Sequence, residues 1–253
     1  MSGPLVHSAL VLAAGKSTRI RSVVSDRPKP LVSLAGQTVL ERNLRQLAAA
    51  GVQEVWINLH YRGEQVEALV GDGSRYGLQV RYSWEPELLG TAGAAKKLEA
   101  ALGADTFLVV YGDDLTALDL GDLVATHRRR GAVATLAVFD SNRVPNAGLA
   151  SGRVVLGEAG RVVNFEEGGT SCSPYVNAGL YALEPEVLAT IPSSVFWDFG
   201  HDVFPPLIAT GAPVYAYPTV SYCLSVDTPE GLTRAEALIR DLDLLLNAER
   251  FAS

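Results

Sequence analysis

One stretch near the N-terminus decides the fold: Ser8-Ala-Leu-Val-Leu-Ala-Ala-Gly-Lys-Ser-Thr-Arg19. Its first part is apolar and its second part is small or polar, a pattern typical of a buried strand that runs directly into a loop. Ligands bind at the carboxyl edge of the strands in an open α/β sheet, and small residues there let backbone N–H groups converge on phosphate oxygens. The stretch therefore predicts an α/β fold with a phosphate-binding loop.

Two common nucleotide-binding motifs do not fit this loop. The tetrapeptide Gly15-Lys-Ser-Thr18 resembles the end of a P-loop, but that motif requires a glycine five residues before Gly15, where Leu10 stands. The dinucleotide-binding fingerprint requires three glycines, and Gly15 could supply one of them. The sequence therefore argues against a P-loop NTPase and against a dinucleotide-binding enzyme.

The composition of the 253 residues, 48% hydrophobic and 19% charged, indicates an ordinary globular protein. Its formal net charge of -7 argues against broad binding to nucleic acid or to anionic membranes, which require a surplus of Lys and Arg. The apolar run Ala9–Ala14 is too short to span a bilayer and lacks the features of a signal peptide, so a cytoplasmic location is predicted. Cys172 and Cys223 fit neither a disulfide framework nor a metal site, and we predict buried free thiols.

Apolar runs alternate with amphipathic stretches from Ser8 to about Tyr111, which is the pattern of βαβ units. The predicted fold class is α/β, a Rossmann-like, doubly wound, mainly parallel mixed sheet with a small β elaboration. The predicted strands are Ser8–Ala13, Glu54–Leu59, Val80–Trp84, Phe107–Tyr111 and Val133–Phe139, and the predicted helices are Val39–Ala50, Gly63–Val70 and Ala92–Leu102.

The second half of the sequence has more glycine and shorter runs, which predicts a hairpin formed by Arg153–Leu156 and Arg161–Phe165. Thr228, with Pro229 at the first helical position, is a strong start signal for a final helix that we expect to end the fold. The other predicted elements are strands at Tyr175–Ala182, near Pro213–Tyr217 and near Tyr222–Val226, and a helix near Asp202–Thr210. We interpret 1–253 as a single domain.

Two basic residues accompany the loop. Arg19 closes it, and Lys29 lies in Arg27-Pro-Lys-Pro30, where two prolines stiffen the backbone around one cation. A guanidinium suits two phosphate oxygens at once, whereas an ammonium acts as a point charge. Together with the loop, the pair is suited to hold a triphosphate and a second phosphorylated substrate.

The segment Leu12 to Arg19, followed by Pro28-Lys-Pro30, resembles the signature of the nucleotidyltransferase superfamily that activates sugar 1-phosphates. Similar segments follow in the same order at Thr38–Leu47, Leu89–Gly93, Tyr111–Asp114, Asn177–Tyr181 and Val226–Glu230. The resemblance implies an enzyme that joins a nucleoside triphosphate to a sugar 1-phosphate with Mg²⁺ and releases pyrophosphate. It also implies a nucleotide-binding half at about 1–140, a sugar-binding elaboration at about 141–227 and a C-terminal helix at 228–253. A homodimer is expected from the commonness of two-fold symmetry.

By this resemblance, Arg19 steadies the departing pyrophosphate, Lys29 orients the attacking phosphate, and both are expected to be catalytic together with Asp113. Glu85 is expected to read base edges, and the backbone of Gly90–Gly93 to contact the base. The expected nucleotide-binding residues are Leu12, Ala13, Ala14, Gly15, Lys16, Ser17, Thr18, Arg19, Glu85, Gly90, Thr91 and Ala92.

Asp113 follows a glycine at the end of a predicted strand, and Asp227 ends another, so both are expected at the ligand-binding edge. The resemblance makes them the Mg²⁺ ligands, and Asp114 is expected to face the opposite side of the strand end. The expected sugar-binding residues are Asp113, Glu166, Asn177 and Gly179.

One position departs from the family pattern. Many members have Glu-Lys where this protein has Glu166-Glu167, so the lysine that grips the sugar phosphate is missing. Lys16 and Arg143 are candidates to replace it. Nearby, the segment Phe196–Asp202 could line the sugar side, but its aromatic residues are predicted to lie in the core. His201, without a recognisable catalytic partner, is predicted to be a surface or hydrogen-bonded residue.

The segments Leu89–Gly93 and Phe199–Pro205 most resemble guanylyltransferases for mannose or heptose 1-phosphates, which favours GTP as the triphosphate. The same residues leave other enzymes open: a cytidylyl- or uridylyltransferase acting on another sugar phosphate, on a cyclitol phosphate or on phosphocholine. A further alternative is a noncatalytic relative that binds nucleotide sugars and regulates a partner, because a fold does not guarantee a function.

Overall fold

The computed structural model describes residues 6–16, 20, 27–146, 152–168 and 171–252, and of 242–252 it describes the backbone. The strands are β1 Ser8–Leu12, β2 Ser33–Leu34, β3 Gln37–Thr38, β4 Glu54–Leu59, β5 Gln79–Trp84, β6 Phe107–Tyr111, β7 Asp114–Thr116, β8 Ala134–Asp140, β9 Arg153–Leu156, β10 Val162–Glu166, β11 Tyr175–Leu183, β12 Val214–Thr219 and β13 Cys223–Ser225. The α-helices are α1 Val39–Ala49, α2 Gly63–Val70, α3 Gly90–Lys97, α4 Glu99–Leu102, α5 Leu120–Arg129, α6 Pro185–Ala189, α7 Phe204–Ala209 and α8 Pro229–Ala252.

Nine of the described strands form one mixed sheet in the order β10-β9-β11-β6-β1-β4-β5, with β8 pairing with β11 and β12 pairing with β8. The strands β5, β4, β1 and β6 pair in parallel. The strand β11 runs antiparallel to both β6 and β8. The predicted mainly parallel mixed sheet is confirmed.

The core lies on both faces of this sheet, because the central strands are apolar on both sides. All five residues of β1 are buried. Helix α1 begins with a capping box between Thr38 and Glu41 and packs Leu40, Leu44 and Leu47 against one face. Residues of α3, α4, α6 and α7 cover the other face. The carboxyl end of β1 and the loop that follows it therefore emerge between two packed layers.

Most predicted elements are present within one or two residues of their expected bounds, but two predicted helices start or continue differently. The helix expected at Ala92–Leu102 begins at Gly90 and breaks at Leu98, whose ψ of 13° is not helical. The helix expected near Asp202–Thr210 begins with a π-helix at Phe199–Val203 and continues as α7. π-Helical turns occur frequently at functional sites, so this departure directs attention to the segment.

One of the predicted C-terminal strands lies outside the large sheet. Strand β13, expected near Tyr222–Val226, pairs antiparallel with β7 in a separate two-stranded sheet. This pairing carries Asp227, which follows β13, to the side of Asp113, which precedes β7. The N-cap at Thr228 is confirmed, because its Oγ1 accepts a hydrogen bond from the Gly231 N–H at 3.0 Å.

The predicted hairpin of β9 and β10 is confirmed as an antiparallel pair. Of the two thiols predicted to be buried, Cys223 is buried but Cys172 is exposed, because it lies in the irregular segment before β11 and not in a sheet. No helix in the described part of the protein is both long and apolar enough to cross a membrane.

Candidate active site

Two adjoining cavities open at the carboxyl ends of β1, β4 and β6. The first, which we call the loop cavity, is lined by the loop after β1 and by residues that include Asn58, Glu85 and Phe196. The second, the acidic cavity, is lined by residues that include Asp227, Glu167 and His201. The two cavities share five lining residues: Lys29, Thr91, Tyr111, Asp113 and Asp198. The two cavities therefore adjoin along these five residues.

A series of buried hydrogen bonds fixes the floor of the loop cavity. The amide oxygen of Asn58 accepts from the Ala13 N–H at 2.7 Å, and its amide nitrogen donates to Glu85 Oε1 at 2.9 Å. Glu85 Oε2 accepts from the Leu89 N–H at 3.1 Å. Asn58 and Glu85 are 3% and 2% exposed, so this network connects the ends of β1 and β4 with the segment before α3 inside the protein.

Glu85, which is predicted to read base edges, is held by the protein on both of its carboxylate oxygens. These oxygens accept hydrogen bonds from Asn58 and from the backbone of Leu89. A carboxylate held in this way shapes the cavity wall, and its direct contact with a nucleobase stays a prediction.

The start of α3 is clamped by a segment more than 100 residues later in the sequence. The carbonyl oxygen of Trp197 accepts from the N–H groups of Ala92 and Gly93 at 2.9 and 3.1 Å. Asp198 Oδ1 accepts from the Thr91 N–H at 2.9 Å and from the Thr91 hydroxyl at 3.0 Å. The donors of Thr91 and Ala92 that were expected to meet the base are thus occupied, because a helix start needs partners for its first N–H groups.

Lys29 lies where the two cavities meet. Its Nζ is 3.3 Å from Asp113 Oδ2 and forms a shorter ion pair with Asp227 Oδ1. The residue itself is 9% exposed and stands in a 3-10 turn, Lys29–Leu31, with proline on both sides. The structure brings together the predicted Lys29, Asp113 and Asp227, although Lys29 contacts both carboxylates rather than a phosphate here.

The carboxylates around Lys29 are crowded. Burial raises the pKa of Asp113 above its ordinary value, although the neighbouring Lys29 opposes the shift. Burial, and then the charges of Asp113 and Asp227, raise the pKa of Asp114 well above its ordinary value. Asp114 is 7% exposed and lines the acidic cavity together with Asp113, so the prediction that it faces the opposite side of the strand end is wrong.

The predicted sugar-binding residues Asn177 and Gly179 line the acidic cavity. Asn177 Nδ2 donates to the Tyr181 hydroxyl at 2.7 Å, and its Oδ1 accepts from the Gly179 N–H at 3.2 Å. A Cβ at Gly179 would lie 2.8 Å from Asp114 Oδ2, and its φ is +66°, so this position requires glycine.

Glu166 does not line either cavity, whereas Glu167 lines the acidic one. Glu166 Oε1 accepts from Asn164 at 2.7 Å instead. The reason is a bulge in β10 between Val162 and Asn164, which moves the buried side of the strand to Phe165 and, two residues on, to Glu167. In this structure Glu167, one residue after the predicted Glu166, is thus the glutamate that lines the acidic cavity.

The position of Glu167 at the acidic cavity changes which residue departs from the family pattern. If the glutamate that faces the cavity is Glu167, the residue after it is Gly168, which has no side chain to grip a phosphate. Of the two proposed replacements, Arg143 has a side chain 86% exposed, pairs with Asp140 at 3.5 Å and lines neither cavity. Lys16 is exposed, and it lines neither cavity in the described part of the loop.

Of the predicted nucleotide-binding residues, Leu12, Ala13, Ala14, Gly15, Glu85, Gly90 and Thr91 line the loop cavity. Ser17, Thr18 and Arg19 lie outside the described residues. Residues of the segment Phe196–Asp202 line both cavities. Phe196, predicted as core, is 60% exposed and lines the loop cavity, and His201 lines the acidic cavity. Phe199, in contrast, is fully buried as predicted.

Comparison with known proteins gives relatives for nearly the whole sequence. A family model described as nucleotidyl transferase matches residues 8–240. The protein is 37% identical over 237 residues to mannose-1-phosphate guanylyltransferase of Mycobacterium tuberculosis, covering 92% of this sequence and 65% of that protein. It is 36% identical over 223 residues to UTP–glucose-1-phosphate uridylyltransferase of Synechocystis, covering 82% of this sequence and 57% of that protein. The protein thus spans less than two thirds of the length of these relatives.

The same architecture occurs in solved structures. The crystal structure of HddC from Yersinia pseudotuberculosis superposes with a TM-score of 0.78 at 24% identity and covers 92% of this protein and 100% of that one. A second structure of HddC, complexed with GMP-PN, superposes with a TM-score of 0.77. At this identity the likeness establishes the fold.

Proposed function

Because the protein belongs to the nucleotidyl transferase family, we propose that it transfers a nucleotidyl group from a nucleoside triphosphate to a sugar 1-phosphate. One observation carries this proposal: Lys29, Asp113 and Asp227 meet where the loop cavity joins the acidic cavity. Two phosphorylated substrates, one in each cavity, would have their phosphates at this point. The alternative of a noncatalytic relative is disfavoured, because such a relative would be expected to lose Arg19, Lys29 or one of the two carboxylates, and the sequence retains all of them.

The proposed reaction needs no covalent enzyme intermediate. An oxygen of the sugar phosphate attacks the α-phosphorus of the triphosphate, the bond from the α-phosphorus to the bridging oxygen breaks, and pyrophosphate leaves with that oxygen. Such transfers depend chiefly on positioning and on neutralising charge. The loop after β1 would bind the triphosphate, Lys29 would orient the attacking phosphate, and Arg19 would stabilise the departing pyrophosphate.

The residues at the junction fit a magnesium ion. Two hard carboxylate oxygens, from Asp113 and Asp227, converge on one cationic atom, and their side chains are 26% and 27% exposed. Among the described residues no group of three or more His, Cys, Asp or Glu could hold a metal, and Mg²⁺ is commonly bound by one or two carboxylates plus substrate phosphates. Asp113 and Asp227 would hold the ion, which when bound would neutralise phosphate charge.

GTP is the proposed triphosphate and a mannose- or heptose-like 1-phosphate the proposed acceptor. The mannose-1-phosphate guanylyltransferase relative supports this choice, and the uridylyltransferase relative at nearly equal identity makes UTP with glucose 1-phosphate the second pair. The test is pyrophosphate release with GTP, UTP, CTP, ATP and dTTP, each combined with mannose 1-phosphate, glucose 1-phosphate and phosphocholine in the presence of Mg²⁺. Turnover with no pair would overturn the proposed function, and highest turnover with UTP or CTP would overturn the choice of GTP.

The position of Glu167 gives a prediction about the sugar side. We expect Glu167→Ala to raise KM for the sugar 1-phosphate about tenfold or more, because a carboxylate that accepts from sugar hydroxyls is lost. The neighbouring Glu166→Ala removes the same group outside the cavities and is the matched control, expected to keep KM within about twofold. Steady-state kinetics with each substrate varied in turn measures both. Equal effects of the two variants would contradict the assignment.

A further inference from the structure

The acidic cavity carries an excess of negative charge. Five carboxylates line it: Asp113, Asp114, Glu167, Asp198 and Asp227. Lys29 is paired with two of them, and Thr91 donates to a third. A phosphate ester brings about two further negative charges near neutral pH. An anionic substrate is therefore favoured by donors on this lining that do not serve the carboxylates, in addition to Lys29 and the proposed metal ion.

The lining offers few side-chain nitrogen donors. In the described part of the protein they are Lys29, Asn177 and His201. Lys29 is engaged by Asp113 and Asp227, and Asn177 Nδ2 donates to the Tyr181 hydroxyl at 2.7 Å. Lys29 and Asn177 each keep a further N–H group, but both residues are only 9% exposed, whereas His201, the third donor among these described lining residues, is exposed.

The backbone that carries His201 is fixed on both sides. The Phe199 N–H donates to the Thr91 hydroxyl at 2.9 Å, and the Asp198 N–H donates to Asp202 Oδ2 at 2.8 Å. Phe199 and Val203, each two positions from His201 in the π-helix, are 0% and 2% exposed. Because the flanking residues are anchored in the core, His201 lies on the opposite face of the π-helix, and this exposed residue lines the acidic cavity.

The residue before His201 places this face against Glu167. A Cβ at Gly200 would lie 2.6 Å from Glu167 Oε2, so the carboxylate reaches the backbone of the π-helix. One wall of the cavity thus presents an acceptor and a donor side by side. Sugar hydroxyls suit the acceptor, and a phosphate oxygen suits the donor.

We infer that His201 donates a hydrogen bond to the phosphate group of the sugar 1-phosphate. This inference rests on the proposed function and names the residue that replaces the missing family lysine. An imidazole donates through one ring nitrogen when neutral and through both when protonated, so the contact is available in either state. His201 acts in substrate binding and not in the chemical step.

The first test is kinetic. We expect His201→Ala to raise KM for the sugar 1-phosphate about tenfold, with kcat and the KM for the triphosphate kept within about twofold. His201→Lys restores a donor and is expected to return KM to within about threefold of the original value. His7→Ala is the matched control, because His7 is also exposed but precedes β1 at the opposite end of the strand. An unchanged KM in His201→Ala would overturn the inference while the proposed function stands.

The second test does not depend on turnover. The imidazole ring proton signals of the histidines are followed by NMR while mannose 1-phosphate or glucose 1-phosphate is added, and the His201 signal is assigned with His201→Ala. We expect that signal to shift with the sugar 1-phosphates and to stay in place with unphosphorylated mannose. No shift with either ester, or an equal shift with mannose, would overturn the inference. If no substrate pair turns over, the proposed function fails and this titration still decides the role of His201.

Discussion

Replacing Asp113 by asparagine is expected to lower kcat by about two to three orders of magnitude, the usual effect of removing one preorganised charge contact from a reaction that develops charge. Asparagine keeps the shape of the side chain but removes the negative charge that faces Lys29 Nζ at 3.3 Å. The proposed magnesium site would lose one of its two carboxylates. Of the two, only Asp227 would still form an ion pair with Lys29.

Initial rates of pyrophosphate release at saturating substrates measure this effect. The variant should remain folded, because Asp227 still neutralises Lys29, and circular dichroism checks this. Asp241→Asn, an exposed carboxylate on α8, is the matched control and should retain full activity. If Asp113→Asn kept kcat within a factor of about three, the proposed role of the Asp113 carboxylate in the reaction would be wrong.

The nucleotide half of the fold could be predicted because its signals are local. A buried parallel strand is apolar throughout, and the crossover to the next strand requires a helix, so β1, β4, β5 and β6 follow from the pattern of residues. Parallel strands have their carboxyl ends at the same edge of the sheet, so the loop after β1 is predicted to lie near the end of β6.

The contacts of Lys29 could not be predicted from the local sequence pattern. Its partners Asp113 and Asp227 lie 84 and 198 residues away in the sequence. The family resemblance supplied these three residues together. The structure adds that β13 pairs with β7, and this pairing is what carries Asp227 to the side of Asp113.

The sequence could not show which glutamate lines the acidic cavity. Alternation counted from the buried Val162 turns Glu166 toward the buried side, and the bulge before Asn164 turns Glu167 there instead. The sequence contains no clear signal of this bulge, so it could not show which of the two adjacent glutamates faces the cavity. In the same way, nothing near Ala92 indicates that its N–H meets the carbonyl of Trp197, because that partner is 105 residues later.

The close approach of Gly90 to the backbone of Trp197 gives the second large prediction. Gly90 has a φ of +72°, and a Cβ there would lie 2.3 Å from the carbonyl oxygen of Trp197 and 2.8 Å from its carbonyl carbon. Backbone atoms cannot rotate away as a side chain would. We expect Gly90→Ala to lower the free energy of unfolding by about 3 kcal/mol, of which about 1 kcal/mol is the left-handed backbone and the rest is overpacking.

Gly211→Ala separates these two contributions, because Gly211 has a φ of +77° and no atom within 4 Å of its Cβ position. It is expected to cost about 1 kcal/mol, and urea unfolding of both variants measures the difference. Costs that agree within about 0.5 kcal/mol would show that Trp197 does not constrain Gly90.

An alanine at position 90 would displace Trp197, and this displacement is also expected to lower the activity. Moving Trp197 away from α3 breaks its bonds to Ala92 and Gly93 and pulls the adjacent Asp198 from Thr91, a pair that lines both cavities. Gly90→Ala is therefore expected to lower kcat/KM for both substrates by about tenfold or more under conditions in which it is folded, since misplacing reacting groups by about 1 Å is costly. An effect on the triphosphate without one on the sugar 1-phosphate would mean that the two cavities do not share this wall.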